Sequence, residues 1–294
     1  MWIVFALVAA IGTAAHSFSL KLTAARGGVV VSTVAYRLVG GALLCAAVSL
    51  TGGWPPLTPG FWRAMGMVLV PEVLGMVLMA LALRGGELSV IQPLSGLLPP
   101  LVMLGGFAFL GEVPTPFAAA GVAMVTLGIY CIGLRPGGSA LGPIRSLAAS
   151  RASWYAVGSL VAFSFATLVH KVGIAEVGPF PWGAALSLGS AAVLAAGLPW
   201  MAWREQPGLG LPARMMPWAW LVVLTGTTFA VQVAGLQLAF RLAQAGYVMA
   251  VASTSILIAT ALGIGFLGER SAVRTRAAGA LLVTSGAALI ALLG

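Results

Sequence analysis

Two charged side chains, Arg37 and Glu72, lie deep inside long apolar stretches of the sequence. If these stretches cross a bilayer, each buried charge costs about 2.5–3.5 kcal/mol and requires a physical reason. A guanidinium can bind a carboxylate, and a desolvated carboxylate can bind a proton or an ammonium group. The two side chains could equally form a structural ion pair that joins two helices. The sequence leaves both interpretations open.

Several neutral polar side chains also lie within apolar stretches. A histidine or an amide there can hydrogen-bond a substrate, or it can bridge two helices. Small hydroxyls can line a cavity, although inside membrane helices they mostly bond their own backbone. Together with the two charges, the candidate substrate-binding residues are Glu72, Arg37, His16, Gln92, Ser95, Thr228, Gln232 and Ser253.

The composition places the chain in a membrane. Of its 294 residues 60% are hydrophobic and only 7% are charged, whereas a soluble domain carries about 25% charged residues. The net charge of +9 is scattered between apolar runs, so no nucleic-acid surface is predicted. Cys45 and Cys131 have neither a disulfide framework nor a metal-ligand spacing around them.

The residues of common catalytic motifs are missing from the sequence. It contains no aspartate, its two histidines are far apart, and it has neither a His-Glu-x-x-His nor a Walker A sequence. An intramembrane enzyme and an ATP-driven pump are therefore disfavoured. We predict a chain that is not an enzyme and that uses no metal or cofactor.

Ten stretches are long and apolar enough to cross a bilayer, which needs about 20 helical residues. They are residues 2–20, 29–50, 61–83, 88–110, 115–134, 152–172, 181–202, 217–239, 246–267 and 275–293. The fold class predicted is an all-α integral membrane protein with ten transmembrane helices.

The sequence contains an internal repeat. Leu81-Ala82-Leu83-Arg84 precedes Phe109-Leu110-Gly111-Glu112, and 157 residues later 238–241 (Leu-Ala-Phe-Arg) precedes 266–269 (Phe-Leu-Gly-Glu) at the same spacing. Because each copy has five spans, an odd number, the second must enter the membrane from the opposite side. We predict inverted five-helix repeats at 1–138 and 151–294, joined by a loop at 139–150.

Basic residues are distributed unevenly between the two predicted faces. Eleven lie in or beside loops 1–2, 3–4, 5–6, 7–8 and 9–10, which are therefore predicted to be cytoplasmic: Lys21, Arg26, Arg84, Arg135, Arg145, Arg151, Arg204, Arg214, Arg270, Arg274 and Arg276. The other face carries three, namely Arg63, Lys171 and Arg241.

Three local features carry structural predictions. Span 4 contains Pro93, Pro99 and Pro100, which predict either a moving kink or a static bend. Glu112 and Glu269 are expected to cap helices or form interfacial ion pairs. Spans 5 and 10 are rich in Gly, Ala and Thr, which permits close packing with each other or across a dimer.

Inverted five-helix repeats that end in Phe-Leu-Gly-Glu resemble the EamA type of the drug/metabolite transporter superfamily. Pro99 resembles the family's proline in the fourth helix, and Tyr36-Arg37 its arginine in the second. The resemblance implies a ten-helix carrier whose central cavity, between the halves, is lined by helices 1, 3, 4, 6, 8 and 9. It also implies outward transport of small metabolites, often amino acids.

Two carrier hypotheses follow. In the first, a multi-pass protein of the inner or plasma membrane exports a zwitterionic metabolite by alternating access, with Glu72 and Arg37 binding the two charges of the substrate. In the second, Glu72 exchanges protons for cationic drugs or quaternary amines, and Phe163 adds a cation–π contact. The partners predicted are a small-molecule substrate, membrane lipid and, if transport is coupled, a proton. The sequence does not choose between a monomer and a homodimer.

Overall fold

The computed structural model describes residues 1–85, 94–134, 141, 150–204, 215–258, 261 and 273–294. Within these ranges the chain is helical and forms no strand. The helices are α1 Trp2–Gly27, α2 Val29–Leu50, α3 Pro59–Gly85, α4 Leu98–Leu110, α5 Pro116–Gly133, α6 Arg151–Val177, α7 Pro179–Arg204, α8 Met215–Leu242, α9 Ala245–Ala252 and α10 Val273–Leu293.

Most of these helices have the length and hydropathy of membrane spans. Within the described residues seven are long and apolar enough to cross a bilayer: α1, α2, α3, α5, α6, α7 and α8. Three further apolar helical segments, Ser95–Leu110, Ala245–Ile258 and Ala277–Leu293, are shorter. Each of the ten predicted spans therefore overlaps an apolar helix, and the chain is a multi-pass membrane protein.

Several helices extend beyond the predicted spans. α1 continues through Lys21 and Arg26 to Gly27, and α6 continues through Lys171 to Val177. The long stems of lysine and arginine let their charged ends reach the interface while the helix continues, so a charge does not end a helix. The predicted loops 1–2 and 6–7 are consequently one residue each, Gly28 and Gly178, with φ of 74° and 86°. Residues that carry a side chain rarely adopt a positive φ, so these links favour glycine.

The chain divides into two compact units. Unit 1 is formed by Met1–Leu69 and His170–Arg241, and unit 2 by Val70–Val169 and Leu242–Gly294. In unit 1, α1 runs antiparallel to α8 at backbone contact distance. A β-carbon at Gly12 would lie 2.7 Å from the Gln232 nitrogen, and one at Gly235 would lie 2.8 Å from the Ala9 nitrogen.

In unit 2, α5 and α10 pack against each other through their glycines. A β-carbon at Gly128 would lie 2.6 Å from the carbonyl oxygen of Gly279, and one at Gly121 would lie 2.7 Å from that of Gly286. The partner's residue number falls as the number along α5 rises, so the helices are antiparallel. The small residues of these two spans therefore serve contact within one chain.

The prolines interrupt their helices less than the sequence suggests. α3 continues through Pro71 without ending. Pro99 and Pro100 occupy the first turn of α4, where a missing N–H removes no helical hydrogen bond, and a 3₁₀ turn, Ser95–Leu97, precedes them. Span 4 is thus irregular before these two prolines, and Pro93 lies outside the described residues.

Candidate functional site

Unit 1 contains a cluster of aromatic rings around Phe229 in the middle of α8. The ring centroid of His16 lies 5.4 Å from that of Phe229, and the centroid of Tyr36 lies 5.1 Å from it. His16 and Tyr36 also contact each other edge to face, with centroids 4.7 Å apart. Each of these three side chains is at least 92% buried. We call His16, Tyr36, Arg37, Ser190 and Phe229 the Phe229 cluster.

Arg37 places a buried cation in this cluster. Its Cζ atom lies 5.1 Å from the centroid of the Phe229 ring, within the range of a cation–π contact. Its Nη1 donates to the Ser190 hydroxyl at 2.5 Å, and that hydroxyl in turn donates to the Leu186 carbonyl at 2.6 Å. Arg37 lies about 12 Å into α2, at 1.5 Å per residue, so the cation is far from either end of its helix.

His16 is oriented by a backbone carbonyl. Its Nδ1 donates to the Thr225 carbonyl oxygen at 3.4 Å. In the neutral ring this leaves Nε2 as a hydrogen-bond acceptor inside the cluster. His16 therefore provides an acceptor and Arg37 a donor in the same unit.

The hydroxyls between α1 and α8 mainly satisfy the backbone, as the sequence predicts. Thr228 donates to carbonyls of its own helix, and its hydroxyl also lies 3.1 Å from that of Ser19. Thr23 and Thr225 share a hydrogen bond of 2.7 Å. Because these hydroxyls already have partners, Thr228 is a helix-packing residue beside the Phe229 cluster.

Two glutamines of α8 carry buried oxygens that accept no hydrogen bond from any described residue. They are Oε1 of Gln232 and Oε1 of Gln237. A buried acceptor without a donor costs about 1–3 kcal/mol, so it usually has a binding partner to explain it. Gln232 lies against Gly12 of α1, one helical turn from His16, and so lies beside the Phe229 cluster.

A second polar network in unit 1 surrounds His170. Its Nδ1 accepts from Trp182 Nε1 at 3.2 Å and from Gln237 Nε2 at 2.9 Å. An indole nitrogen can only donate, so Nδ1 is an acceptor and the neutral ring carries its proton on Nε2. The sequence analysis did not indicate Trp182 or Gln237 as partners of this histidine. His170 is thus a helix-bridging residue between α6, α7 and α8.

The remaining candidates lie in unit 2 or outside the described residues. Glu72 is half-buried on α3, Ser95 begins the 3₁₀ turn before α4, and Ser253 donates to the Met249 carbonyl at the end of α9. Gln92 lies outside the described residues. The structure brings His16, Arg37, Thr228 and Gln232 into unit 1, whereas Glu72, Ser95 and Ser253 belong to unit 2.

Phe163 of α6 packs against α3 at Gly75, near Glu72 along that helix. Its ring contacts Gly75, where a β-carbon would lie 2.9 Å from Cε1 of the ring. Gly75 is three residues, about one helical turn, from Glu72. In the same contact Ser159 donates to the Gly75 carbonyl oxygen at 2.8 Å. A carboxylate and an aromatic ring thus lie about one turn apart in unit 2.

Glu112 of the repeated Phe-Leu-Gly-Glu motif caps α9. Its Oε2 accepts from the backbone nitrogen of Ala245, the first residue of that helix, at 2.9 Å. Tyr247 and Gln244 hydrogen-bond the segment between α4 and α5. The Tyr247 hydroxyl accepts from Thr115 N, and the Gln244 amide donates to the Val113 carbonyl. The capping role predicted for Glu112 is confirmed, and Glu269 lies outside the described residues.

We expect Glu112→Ala to lower the free energy of unfolding by about 1.5–3 kcal/mol, because a charged acceptor of a backbone N–H is lost. Denaturant unfolding in mixed micelles measures this loss. Glu176→Ala is the matched control, since that exposed carboxylate accepts from the Thr58 hydroxyl and caps no helix among the described residues. Equal destabilisation by both variants would contradict a capping role for Glu112.

Two cavities lie at one end of unit 1. One, of about 360 Å³, is bounded by residues 51–55, residues 177–181, Leu238 and Arg241. The other, of about 320 Å³, is bounded by Lys171, Ile174, Ala175, Gly178, Phe240 and Arg241. None of the eight candidate residues lines either cavity, so the mid-depth cavity expected from the sequence stays a prediction.

The helices and the buried polar clusters define a polytopic helical membrane protein with interior polar groups. Residues 1–134 match the model of the EamA-like transporter family, which is part of the drug/metabolite transporter superfamily. The first part of the chain therefore matches a family of membrane transporters. The expectation from the repeated motif and Tyr36-Arg37 is confirmed.

Comparison with solved structures supports the fold over the whole chain. A chain described as "Crystal structure of protein" has a TM-score of 0.72 to this one, covering 99% of this chain and 98% of its own, at 17% identity. At that identity the likeness shows the fold alone. Comparison with curated proteins finds no match to this chain.

Proposed function

We propose that the protein is a secondary active transporter that exports small zwitterionic metabolites, such as amino acids, by alternating access. The family supports transport. The observation that carries the substrate class is the Phe229 cluster, in which a buried arginine and a histidine acceptor lie within one unit.

The alternating access proposed here uses two inverted halves, and the geometry of unit 2 supports them. Gly121 and Gly128 of the first copy correspond to Gly279 and Gly286 of the second, 158 residues later. Gly121 contacts Gly286 and Gly128 contacts Gly279, so each residue meets the counterpart of the other. Reciprocal contacts of this kind are typical of a two-fold relation between copies. The glycine links after α1 and α6 also recur in corresponding places.

A carboxylate substrate group fits the donors of Arg37. A guanidinium has five N–H donors in a planar fork and binds carboxylates through two of them at once. Buried in a region of low dielectric, such a pair is stronger than in water. The Ser190 hydroxyl holds one arm of the fork, which orients the guanidinium before a substrate binds.

An ammonium group of the substrate fits the acceptors of the same unit. Oε1 of Gln232 is buried and accepts from no described residue, and His16 offers Nε2. An ammonium group has three N–H donors to share between them. A zwitterion therefore matches both the cation and the neutral acceptors of unit 1.

The orientation proposed follows from the basic residues at the ends of the spans. They support placing loops 1–2, 3–4, 5–6, 7–8 and 9–10 in the cytoplasm.

A second candidate function is proton-coupled export of cationic drugs or quaternary amines. The observation that favours it is the spacing of Glu72 and Phe163 in unit 2, because a carboxylate and an aromatic ring form the usual site for an amine cation. In this function Glu72 releases a proton when the cation binds, and Arg37 has no part in binding.

An uptake screen in proteoliposomes separates the two functions. Wild-type protein is tested with labelled amino acids and labelled quaternary amines, with and without a pH gradient. We expect saturable amino-acid transport that empty liposomes lack. Preference for quaternary amines would favour the second function, and no transport of either class would contradict both.

The Glu72→Gln variant tests proton coupling in the same assay. Glutamine keeps the shape and the hydrogen-bonding capacity of the side chain but does not titrate. If Glu72 couples transport to protons, we expect the variant to lose the stimulation by a pH gradient. Unchanged transport with an unchanged response to pH would remove Glu72 from the mechanism.

A further inference from the structure

Three hydrogen bonds join the connection between α4 and α5 to the beginning of α9. The side chains of Glu112, Gln244 and Tyr247 each bond a backbone group on the other side of this contact, at 2.9, 3.1 and 3.0 Å respectively. We call these three bonds the α4–α9 latch. Its residues all belong to unit 2, but they come from both predicted copies of the repeat. The latch therefore joins one copy to the other.

The helices behind the latch lie at backbone contact distance. A β-carbon at Gly246, in the first turn of α9, would lie 2.8 Å from the α-carbon of Met103 in α4. Gly106 of α4 leaves the space that the Glu112 carboxylate occupies, since a β-carbon there would lie 2.6 Å from Oε2. Tyr247 is only 6% exposed. At this contact the described parts of α4 and α9 leave no room between them for a solute.

The side chains of the latch recur only in part at the corresponding positions of the repeat. The carboxylate recurs as Glu269, 157 residues later. The same offset gives Glu87 in place of Gln244, and an ionised glutamate cannot donate to a carbonyl. It gives Val90, which has no hydroxyl, in place of Tyr247. These counterparts lie outside the described residues, but their chemistry alone shows that two of the three latch bonds cannot be repeated there.

Alternating access gives this difference between the copies a consequence. In a carrier built from inverted copies, the two ends open in turn around one site. The contact that closes one end corresponds, through the relation between the copies, to the contact that closes the other. Identical bonds at both ends would favour neither closure. Additional bonds at one end stabilise the state in which that end is closed.

We propose that the α4–α9 latch is the stronger of two gates and keeps its end of the carrier closed at rest. Glu112 forms the part of the gate that both copies share, and Gln244 and Tyr247 supply the bias. The basic-poor loops 4–5 and 8–9 lie at this end, so the resting carrier loads substrate from the opposite face, which the charges predict to be cytoplasmic. Loading from that face suits export. The inference rests on the alternating access proposed above, but not on which substrate is carried.

A cysteine reporter beside the latch tests the gate. Met103→Cys places a thiol at the contact between α4 and α9, in a chain whose Cys45 and Cys131 are replaced by alanine. A membrane-impermeant maleimide labels this thiol in lipid nanodiscs, where both faces meet the reagent. The labelling rate follows the open population, and one neutral hydrogen bond shifts such an equilibrium by about two- to tenfold. We therefore expect Tyr247→Phe and Gln244→Leu each to label faster than the reporter alone by that factor.

Two controls separate opening of the gate from other effects. Tyr155→Phe is the matched control, because Tyr155 is an exposed tyrosine of unit 2 whose hydroxyl bonds no described residue, and it should leave the rate unchanged. A second reporter, Val125→Cys, replaces a fully buried side chain of α5 that faces Gly286 of α10. This reporter should stay unreactive in every variant, because only unfolding exposes it.

The outcome does not depend on a transport assay. Labelling needs no substrate, so a failure of the gate is distinguishable from a failure of the transport function. An unchanged rate at Met103→Cys in both Tyr247→Phe and Gln244→Leu would overturn the proposal. An equal rise at Val125→Cys would overturn it as well, because the latch would then stabilise the whole fold and not one closed state.

Discussion

A Gly128→Leu variant is expected to lose most of its folded protein. A β-carbon at this position would lie 2.6 Å from the Gly279 carbonyl oxygen, a distance that real side chains do not adopt. The opposing atom is backbone and cannot rotate away, so α5 and α10 must separate. Overpacking that flexible neighbours can absorb costs about 1–3 kcal/mol, and a clash with backbone costs more. The yield of monodisperse protein after detergent extraction measures the effect.

Gly66→Leu is the matched control for Gly128→Leu. Gly66 is also a glycine within an apolar helix, but it is exposed, and a β-carbon there meets no atom within 4 Å. Its replacement should leave the yield unchanged or raise it slightly, because glycine is a poor helix former. Normal folding of Gly128→Leu would contradict the close approach of α5 and α10.

An Arg37→Gln variant is expected to reduce amino-acid transport by about 10- to 100-fold while the protein still folds. Glutamine can still donate to Ser190, but it cannot form the charged, two-pronged bond to a carboxylate, which is worth about 1.5–3 kcal/mol. Initial rates in proteoliposomes at several substrate concentrations measure the loss. Transport of a quaternary amine, if present, should be unchanged, because a cation gains nothing from Arg37.

Two comparisons make the Arg37 result interpretable. Arg26→Gln removes an arginine that lies exposed near the end of α1 and donates to the Leu22 carbonyl, and this variant should transport normally. Arg37→Lys keeps the charge but not the planar fork, so we expect an intermediate rate. If Arg37→Gln folds and transports amino acids like wild type, Arg37 is a structural residue and the zwitterion proposal is wrong.

The sequence predicted the candidate site only in part. It shows which residue types are present in each span, but it does not show which residues are neighbours in space. Arg37 and His16 stood out as polar groups within apolar spans, and the structure brings both to Phe229. Phe229 was not among the candidates, because an aromatic residue in an apolar helix does not by itself indicate a site. Ser190 and Gln237 gave no signal, since hydroxyls and amides in membrane helices usually bridge helices.

Two glutamines of α8 illustrate the same limit of prediction from sequence. Gln232 was singled out for its position in a predicted cavity helix, and its unpartnered buried oxygen now supports that role. Gln237, only five residues further along α8, was not singled out, although its oxygen is buried in the same way. Which amide lacks a donor depends on the side chains that adjacent helices present, and no spacing in one helix reveals it.

The amino-acid sequence by itself determined the membrane class, the approximate spans and the family. Each of these follows from local properties, because every span must satisfy its backbone internally and present apolar side chains to lipid. The sequence also predicted a duplication, since a repeat is a property of the order of residues. Glu112 as a helix cap and the small residues of α5 and α10 were likewise predicted from local chemistry.

Only the tertiary structure decided which helices meet and therefore which polar groups share a site. An apolar side chain has nearly the same energy next to lipid as next to another helix, so the hydropathy of a span does not encode which helices pair. Pairing depends on where glycines let two backbones approach, as at Gly128 with Gly279, and on which buried donor finds which acceptor, as at Arg37 with Ser190. These are matches between residues more than 150 positions apart, and close packing in three dimensions selects them.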